Sequence, residues 1–309
     1  MLSIVIANFN GEKVLQQTLD GFCNINFDVR QQTEILFVDN GSTDQSIEIA
    51  LRYQDKLPLK IFSEPKVGKG YALAKGIKEA RGEFVIFADN DVIPNTNWLI
   101  AYERAASHNP EFSIFLGAIR PHFLISAPQW LKQLTDNGKS FGCTPVFRKS
   151  GPAEYFEAKG ANFGVRKCVL EQVSFRDDLW IANKAKVGGE DTDFVKRAQA
   201  NGFRIFFDSE AEVEHIVRAN EVGIIPVVNR YFRIGRSIAA TTELNFGSSK
   251  TAFGYPLWAY VETLKKSATC LMLWFKNKRY ESAEILIELS MLWGKLNYLK
   301  EAEYDCEKQ

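Results

Sequence analysis

Along the first third of the chain, short β-rich runs alternate with stretches in which apolar residues return every three or four positions. Leu2–Ala7, Glu34–Val38, Leu59–Phe62, Glu83–Ala88 and Ser113–Ile119 are short, rich in Ile, Val and Phe, and predict buried strands. Helical spacing predicts helices over Glu12–Phe22, Asp44–Tyr53, Tyr71–Ala80 and Asn97–Ala106. Ser42 followed by Gln45 has the pattern of a capping box for the second helix. Gly82 stands where a C′ glycine would close the third. Such alternation predicts an α/β fold with a mostly parallel central sheet and helices on both faces.

The pattern then changes. Pro121 to Gly188 is rich in Gly, Pro and aromatic residues and lacks a regular period, as binding loops on a rigid scaffold do. A helix is predicted from Glu190 to Asn201 with Gly202 as its stop, followed by two strand-like runs, Phe203–Phe207 and Ala211–Val217. From about residue 219 the pattern is helical. Val261, Leu264, Ala268, Leu271 and Phe275 form one apolar stripe, and Ile285, Leu289, Leu292, Leu296 and Leu299 form another. The division this predicts is an α/β domain over 1–218 and a C-terminal helical region over 219–309.

Composition narrows the classes of partner. With 38 basic and 38 acidic residues the formal charge is zero, which argues against general affinity for nucleic acid. Any anionic ligand must be held by a local constellation. The five cysteines are scattered without metal-type spacing, which suits a reducing compartment and no disulfide framework. Neither a secretory signal nor a transmembrane helix is read from the sequence, so a cytoplasmic location is expected.

Polar clusters follow the predicted strands. Strand one ends in Asn8-Phe9-Asn10-Gly11, strand two in Asp39-Asn40-Gly41-Ser42, and the fourth in Asp89-Asn90-Asp91. Singly each has the composition of a turn. Together they lie beyond the carboxyl ends of one sheet, where ligands of open α/β folds bind. Asp89 and Asp91 suit Mg²⁺ or Mn²⁺ bridging the protein to a diphosphate, because hard cations take carboxylate and phosphate oxygens. Asp39 suits a hydrogen bond from a base or a ribose hydroxyl. Lys66-Val67-Gly68-Lys69-Gly70 lacks the full phosphate-loop pattern and reads as a loop near a nucleotide. Glu190 and Asp191 open a helix, where acids favour the dipole and where one can also serve as a general base. His215, one of three histidines, is a candidate further metal ligand.

These segments, in their order, resemble the family 2 glycosyltransferases of the GT-A fold, over residues 1 to about 218. The resemblance rests on Ser3-Ile4-Val5-Ile6-Ala7-Asn8-Phe9-Asn10, Val38-Asp39-Asn40-Gly41-Ser42-Thr43-Asp44, Phe87-Ala88-Asp89-Asn90-Asp91 and Gly189-Glu190-Asp191, with Lys159-Gly160-Ala161-Asn162-Phe163 similar to the segment lining the sugar and acceptor site. It implies that Ala7, Asn8, Asp39, Gly68, Asp89 and Asn90 hold the nucleotide. It implies that Asp91, Asp89 and His215 hold a divalent cation, Mn²⁺ or Mg²⁺. Asp191 would be the catalytic base with Glu190 beside it. Gly160, Ala161, Asn162 and Trp180 would meet the sugar or acceptor, in a pocket built from Trp130 and Phe141 to Phe147. The implied reaction is inverting transfer from a nucleotide-diphosphate sugar, a UDP-sugar, to a glycan or lipid-linked acceptor hydroxyl, in polysaccharide or cell-surface glycan biosynthesis. Two positions depart from the family pattern: Ala7 replaces a common proline, and the loop before Gly68 reads Glu64-Pro65-Lys66-Val67 where asparagine is usual.

Two rival readings have their own signatures. A sugar-nucleotide nucleotidyltransferase would want a glycine-rich, arginine-containing loop at Asn8 to Lys13, which is absent. A catalytically silent nucleotide-binding scaffold would not need Asp89, Asp91, Asp191 and His215 intact. The helical C-terminal region suits packing within the protein or in a homodimer. It also suits peripheral contact with the inner face of a plasma membrane, since Lys265, Lys266, Lys276, Lys278 and Arg279 accompany Trp258, Trp274 and Phe275.

Overall fold

The computed structural model describes residues 1–26, 32–176, 189–242 and 250–306, with side chains through residue 302. Strand β1 (Leu2–Asn8), almost wholly buried, lies between and parallel to β2 (Thr33–Asp39) and β4 (Phe84–Asp89). A strand covered on both faces calls for apolar residues on both sides, which explains Ile4–Ala7; the buried Ser3 before them donates to Glu34 Oε1 (2.8 Å). β3 (Leu59–Ser63) extends the parallel set beyond β2. Past β4 the direction changes. β8 (Asn162–Arg166) is antiparallel to β4, and β6 (Ile114–Phe123) is antiparallel to β8. β9 (Ile205–Val217) and β5 (Val92–Pro94) complete the order β3-β2-β1-β4-β8-β6-β9-β5, with β7 (Gly151–Ala153) paired to β9.

The sheet is therefore mixed, where the sequence pattern predicts a mostly parallel one. Strand–helix–strand crossovers produce the parallel set, and the strands drawn from the irregular middle join antiparallel. Helices α1 (Glu12–Cys23), α2 (Ser46–Leu51) and α4 (Trp98–His108) cover one face, packing Leu15, Phe22 and Trp98 with Ile4, Phe37 and Ile86. On the other face, α3 (Lys69–Glu79) and α7 (Glu190–Ala200) pack Leu73, Phe194 and Val195 with Val5, Leu36 and Phe87. Two shorter helices, α5 (Gln129–Asp136) and α6 (Lys167–Leu170), belong to the middle of the chain.

Three local expectations change. Residues 205–217 form one strand, not two; Ser150 Oγ donates to buried Asp208 (3.2 Å) and accepts from Ser209 N (3.0 Å), keeping the polar centre extended. Ser42 does not cap α2, which starts at Ser46; its hydroxyl is taken by Asn8 and by the Asn10 N–H. Gly82 does not close α3, whose C-cap is Ala80. Its lack of a side chain is required by the neighbouring strand, since a Cβ there would lie 2.6 Å from Ser3 N.

The chain divides into two compact units. One holds the sheet and comprises Met1–His122, residues 135–176 and Glu190–Val217. The other is built on residues 123–134 and on the helices after residue 217. In it, α8 (Ile224–Thr241) crosses α10 (Arg279–Cys306) closely, because a Cβ at Gly235 or Gly294 would meet a backbone oxygen of the other helix at 2.1 Å or 2.0 Å. A hairpin, β10 (Thr251–Ala252) and β11 (Tyr255–Pro256), leads into α9 (Leu257–Phe275). α9 meets α10 through Thr263, which accepts from Trp293 Nε1 (2.9 Å), and Cys270, 3.1 Å from Ser282 Oγ. Of the two apolar stripes, Leu289 and Leu296 on α10 are buried. The α9 stripe is not: Val261, Leu264, Leu271 and Phe275 are all exposed.

Candidate active site

Parallel register sets Asn8 opposite Asp39 and Ala7 opposite Asp89 at the carboxyl ends of β1, β2 and β4. Asn8 is buried and ties this edge together. Its amide donates to Asp39 Oδ1 (3.0 Å) and Ser42 Oγ (3.1 Å) and accepts from Asn90 Nδ2 (2.6 Å). Asp39 also accepts from Ser42 N through Oδ2 (3.0 Å). Asn40 shapes the loop before α3, donating to the carbonyls of Glu64 (3.0 Å) and Lys66 (2.8 Å) and accepting from Gly68 N (2.7 Å). Gly68 enters α3 at φ +144°, a backbone angle that favours glycine.

From that loop Lys69 reaches two carboxylates. Its Nζ lies 2.8 Å from Asp89 Oδ1 and 3.2 Å from Asp191 Oδ2. Asp191 is the second residue of α7. Burial opposes charge on all three half-buried groups, and one ammonium shared between two acids cannot offset it equally. Burial disfavours the Lys69 cation, yet Asp191, Asp89 and Glu190 hold its pKa well above the ordinary value. Burial pushes on Asp89 as well, but the short Lys69 contact outweighs it and keeps this carboxyl below its usual range. Asp191 is pushed up to about 6, chiefly by burial, with Lys69 pulling it down and Glu190 and Asp89 pushing it further up. Among the described residues its Oδ1 is buried without a hydrogen-bond partner. Gly160 leaves room for this arrangement, since a Cβ there would fall 1.8 Å from Asp191 Oδ2.

Asp91 lies in the turn between β4 and β5, and the β5–β9 pairing sets Val92 opposite His215. His215 Nε2 stands 3.5 Å from Asp91 Oδ1, and His215 Nδ1 is buried with no partner among the described residues. No three His, Cys, Asp or Glu side chains among the described residues converge as a preformed metal cluster. One carboxylate and one imidazole would leave positions open for phosphate oxygens and water; the carboxylate with phosphate suits Mg²⁺ or Mn²⁺, and the imidazole favours a transition ion over Mg²⁺. Asp89 is engaged in its ion pair with Lys69, with the His215 ring near enough to act on its charge.

Other candidates are distributed unequally. Glu190 is buried at the start of α7, and Ala161 is buried beside Gly160. Asn162 is not brought to the crevice. It is buried, accepts from Trp98 Nε1 (2.9 Å) and Tyr102 Oη (2.8 Å), and donates to the carbonyls of Ala118 (2.8 Å) and Ala211 (2.7 Å). Its amide is a structural knot with every strong hydrogen-bonding position used. Trp180 lies outside the described residues. Lys69 and Asn40 were not singled out by sequence reasoning. The signal for Lys69 was present in its place between Gly68 and Gly70, which lets a lysine backbone come close to a sheet edge.

Comparison with known proteins adds to this geometry. The family profile described as Glycosyl transferase family 2 matches residues 3–173. Glycosyltransferase AglE of Haloferax volcanii is 26% identical over 269 residues, 86% of this chain and 82% of the relative. The succinoglycan biosynthesis protein ExoM of Rhizobium meliloti is 24% identical, over 72% of this chain and 69% of the relative. A cholesterol galactosyltransferase of Borreliella burgdorferi is 34% identical over 112 residues, 36% of this chain and only 30% of that protein's length. The fold resembles Staphylococcus aureus TarS 1–349 in complex with UDP-GlcNAc, with a TM-score of 0.55, 16% identity and coverage of 99% and 92% of the two chains. It likewise resembles the mannosyltransferase PcManGT from Pyrobaculum calidifontis in complex with GDP-Man and Mn²⁺, with a TM-score of 0.57, 16% identity and coverage of 100% and 75%.

Proposed function

Because the chain belongs to glycosyl transferase family 2 and is thereby a glycosyltransferase, we propose that it moves a sugar from a nucleotide-diphosphate sugar to an acceptor hydroxyl with inversion, with Asp191 as the base. The carrying observation is the Asp191 carboxylate. One oxygen is held by Lys69 and the other is buried and unpartnered. A substrate hydroxyl donating to Oδ1 would satisfy that atom. As the acceptor oxygen bonds to the anomeric carbon, its proton passes to Asp191 and the bond from that carbon to the diphosphate oxygen breaks. A single displacement without an enzyme nucleophile inverts the anomeric centre.

Donor binding falls to the opposite side of the crevice. Asp39, oriented by Asn8 and Ser42, is placed to accept from a base or ribose. The loop ordered by Asn40 brings Gly68 and Lys69 toward the position of the diphosphate. Asp91 and His215 would hold Mn²⁺ or Mg²⁺, with Asp89 completing the acidic edge. Such a cation, when bound, neutralises charge on the leaving diphosphate. A UDP-sugar is the donor we propose, as the TarS structure of shared fold holds UDP-GlcNAc, with a GDP-sugar, as in PcManGT, the alternative. A glycan acceptor, free or lipid-linked, in polysaccharide or cell-surface glycan synthesis is favoured by the glycan-building relatives. Catalysis belongs to residues 1–218, and the helical region 219–309 has a separate role.

Asp191→Asn tests the central assignment. Transfer should fall by roughly 10²–10⁴-fold, the usual worth of a positioned base. UDP binding, measured by calorimetry, should be nearly unchanged. Near-wild-type turnover would reject Asp191, and Glu190→Gln would be the next variant made.

A further inference from the structure

Helix α9 has two unlike faces. The face toward α10 carries Ala259, Thr263 and Cys270. The opposite face carries Leu257, Val261, Leu264, Leu271, Met272 and Phe275, each 45–79% exposed. At 3.6 residues per turn these positions form one stripe along a helix about 28 Å long. Trp258 and Trp274 border it and are about half exposed. Folded monomers seldom leave a contiguous apolar face of this extent uncovered. The hairpin leading into α9 adds a second feature. Phe253 (φ +53°) and Gly254 (φ +77°) form a tight turn that holds the Phe253 side chain 89% exposed.

Charge around the stripe is one-sided. Residues 257–279 carry five basic residues against one carboxylate, in a chain whose formal net charge is zero. That carboxylate, Glu262, lies 3.7 Å from Lys266, which also pairs with Glu288 of α10. Lys265 and Lys276 are exposed, Lys278 is 3.7 Å from Glu281, and the Arg279 guanidinium stacks 3.3 Å over the Trp274 ring. A symmetric pairing of two α9 faces would bring two such basic segments together, which like-charge repulsion opposes. An anionic surface complements them. No helix among the described residues is long and apolar enough to cross a membrane, so the fitting geometry is a helix lying in the interface.

We propose that the outward face of α9, with Phe253 at its entrance, docks onto an anionic lipid surface, burying its apolar stripe among the acyl chains while Lys265, Lys276 and Lys278 meet the headgroups. This rests on α9 and its hairpin alone, not on the transferase reading, so binding is measured without donor or acceptor. The full chain is sedimented with vesicles of phosphatidylcholine alone and of phosphatidylcholine mixed with phosphatidylglycerol. Wild type should bind the mixed vesicles, weakly bind the neutral ones, and release as salt rises. Leu264→Glu combined with Phe275→Glu, and separately Lys265→Glu combined with Lys276→Glu, should each weaken partition at least about tenfold. All four positions are exposed, and an unchanged melting temperature checks the fold of each variant. Wild type staying in the supernatant with anionic vesicles, or variants that bind as well as wild type, would overturn the proposal. A dimer in light scattering that Leu264→Glu dissociates, without vesicle binding, would overturn it too, giving the face to a second copy.

Discussion

With its carboxyl pushed up to about 6, Asp191 changes charge in a range where an enzyme is readily assayed. Between the ordinary carboxylate value, near 4, and about 6, the folded protein keeps a proton that the unfolded chain has lost. This group's contribution to stability therefore falls as pH rises through that window. Function runs the other way, since only the ionised form accepts a proton. The profile of kcat/KM, which reports the free enzyme, should climb through about pH 6 and level off above it. Lys69 lowers the Asp191 pKa, so Lys69→Met should move the midpoint of that profile to higher pH; an unmoved midpoint would show that the Lys69–Asp191 contact does not tune the base. Asp91→Ala should remove the extra thermal stabilisation that UDP gains from Mn²⁺, and its persistence would reject Asp91 as a ligand. Asp39, Asp89, Asp91 and Asp191 all stand out in the sequence because acids at strand ends and a helix start break an apolar pattern. Lys69 does not stand out, because a lysine in a glycine-flanked loop is ordinary until Asp89 and Asp191 are seen on either side of it.

At the scale of elements, β8 is the join between the parallel and antiparallel halves of the sheet, and Asn162 at its start fixes that join. It links Trp98 and Tyr102 of α4 to the backbones of β6 and β9. Asn162→Leu would leave two buried donors and two buried carbonyls without partners, at roughly 1–3 kcal/mol each before relaxation. A loss of about 3–5 kcal/mol in chemical denaturation is expected; a loss below about 1 kcal/mol would mean the knot carries little. The helices and strands of the first 110 residues were legible in the chain because each buries one face, or both, and so repeats at its own period. Of the antiparallel additions, β6 and much of β9 were also legible as strands, but not their direction, and the short strands were not legible at all. β7 and β5 are three residues each, too short to show a period, and both pair with β9, a strand far along the chain from either.

Over the whole molecule, two compact units answer to two kinds of pattern. The sheet-bearing unit matches the alternating strand and helix signals, and its crevice is where those strands end. In the helical unit both apolar stripes are plain in the sequence, yet the α10 stripe is buried or half-buried while the α9 stripe is exposed. Helical periodicity reports that a face is apolar and not what covers it. By itself, then, the sequence determined the α/β class, the family, the order of the motifs and the identity of the acids, since these follow from local period and residue chemistry. Tertiary structure alone decided the mixed direction of the sheet, the Lys69 bridge, the structural use of Asn162 and the open face of α9. Each of these depends on which distant segments come within a few ångströms, and at that range burial and hydrogen bonding set the charge and role of a side chain.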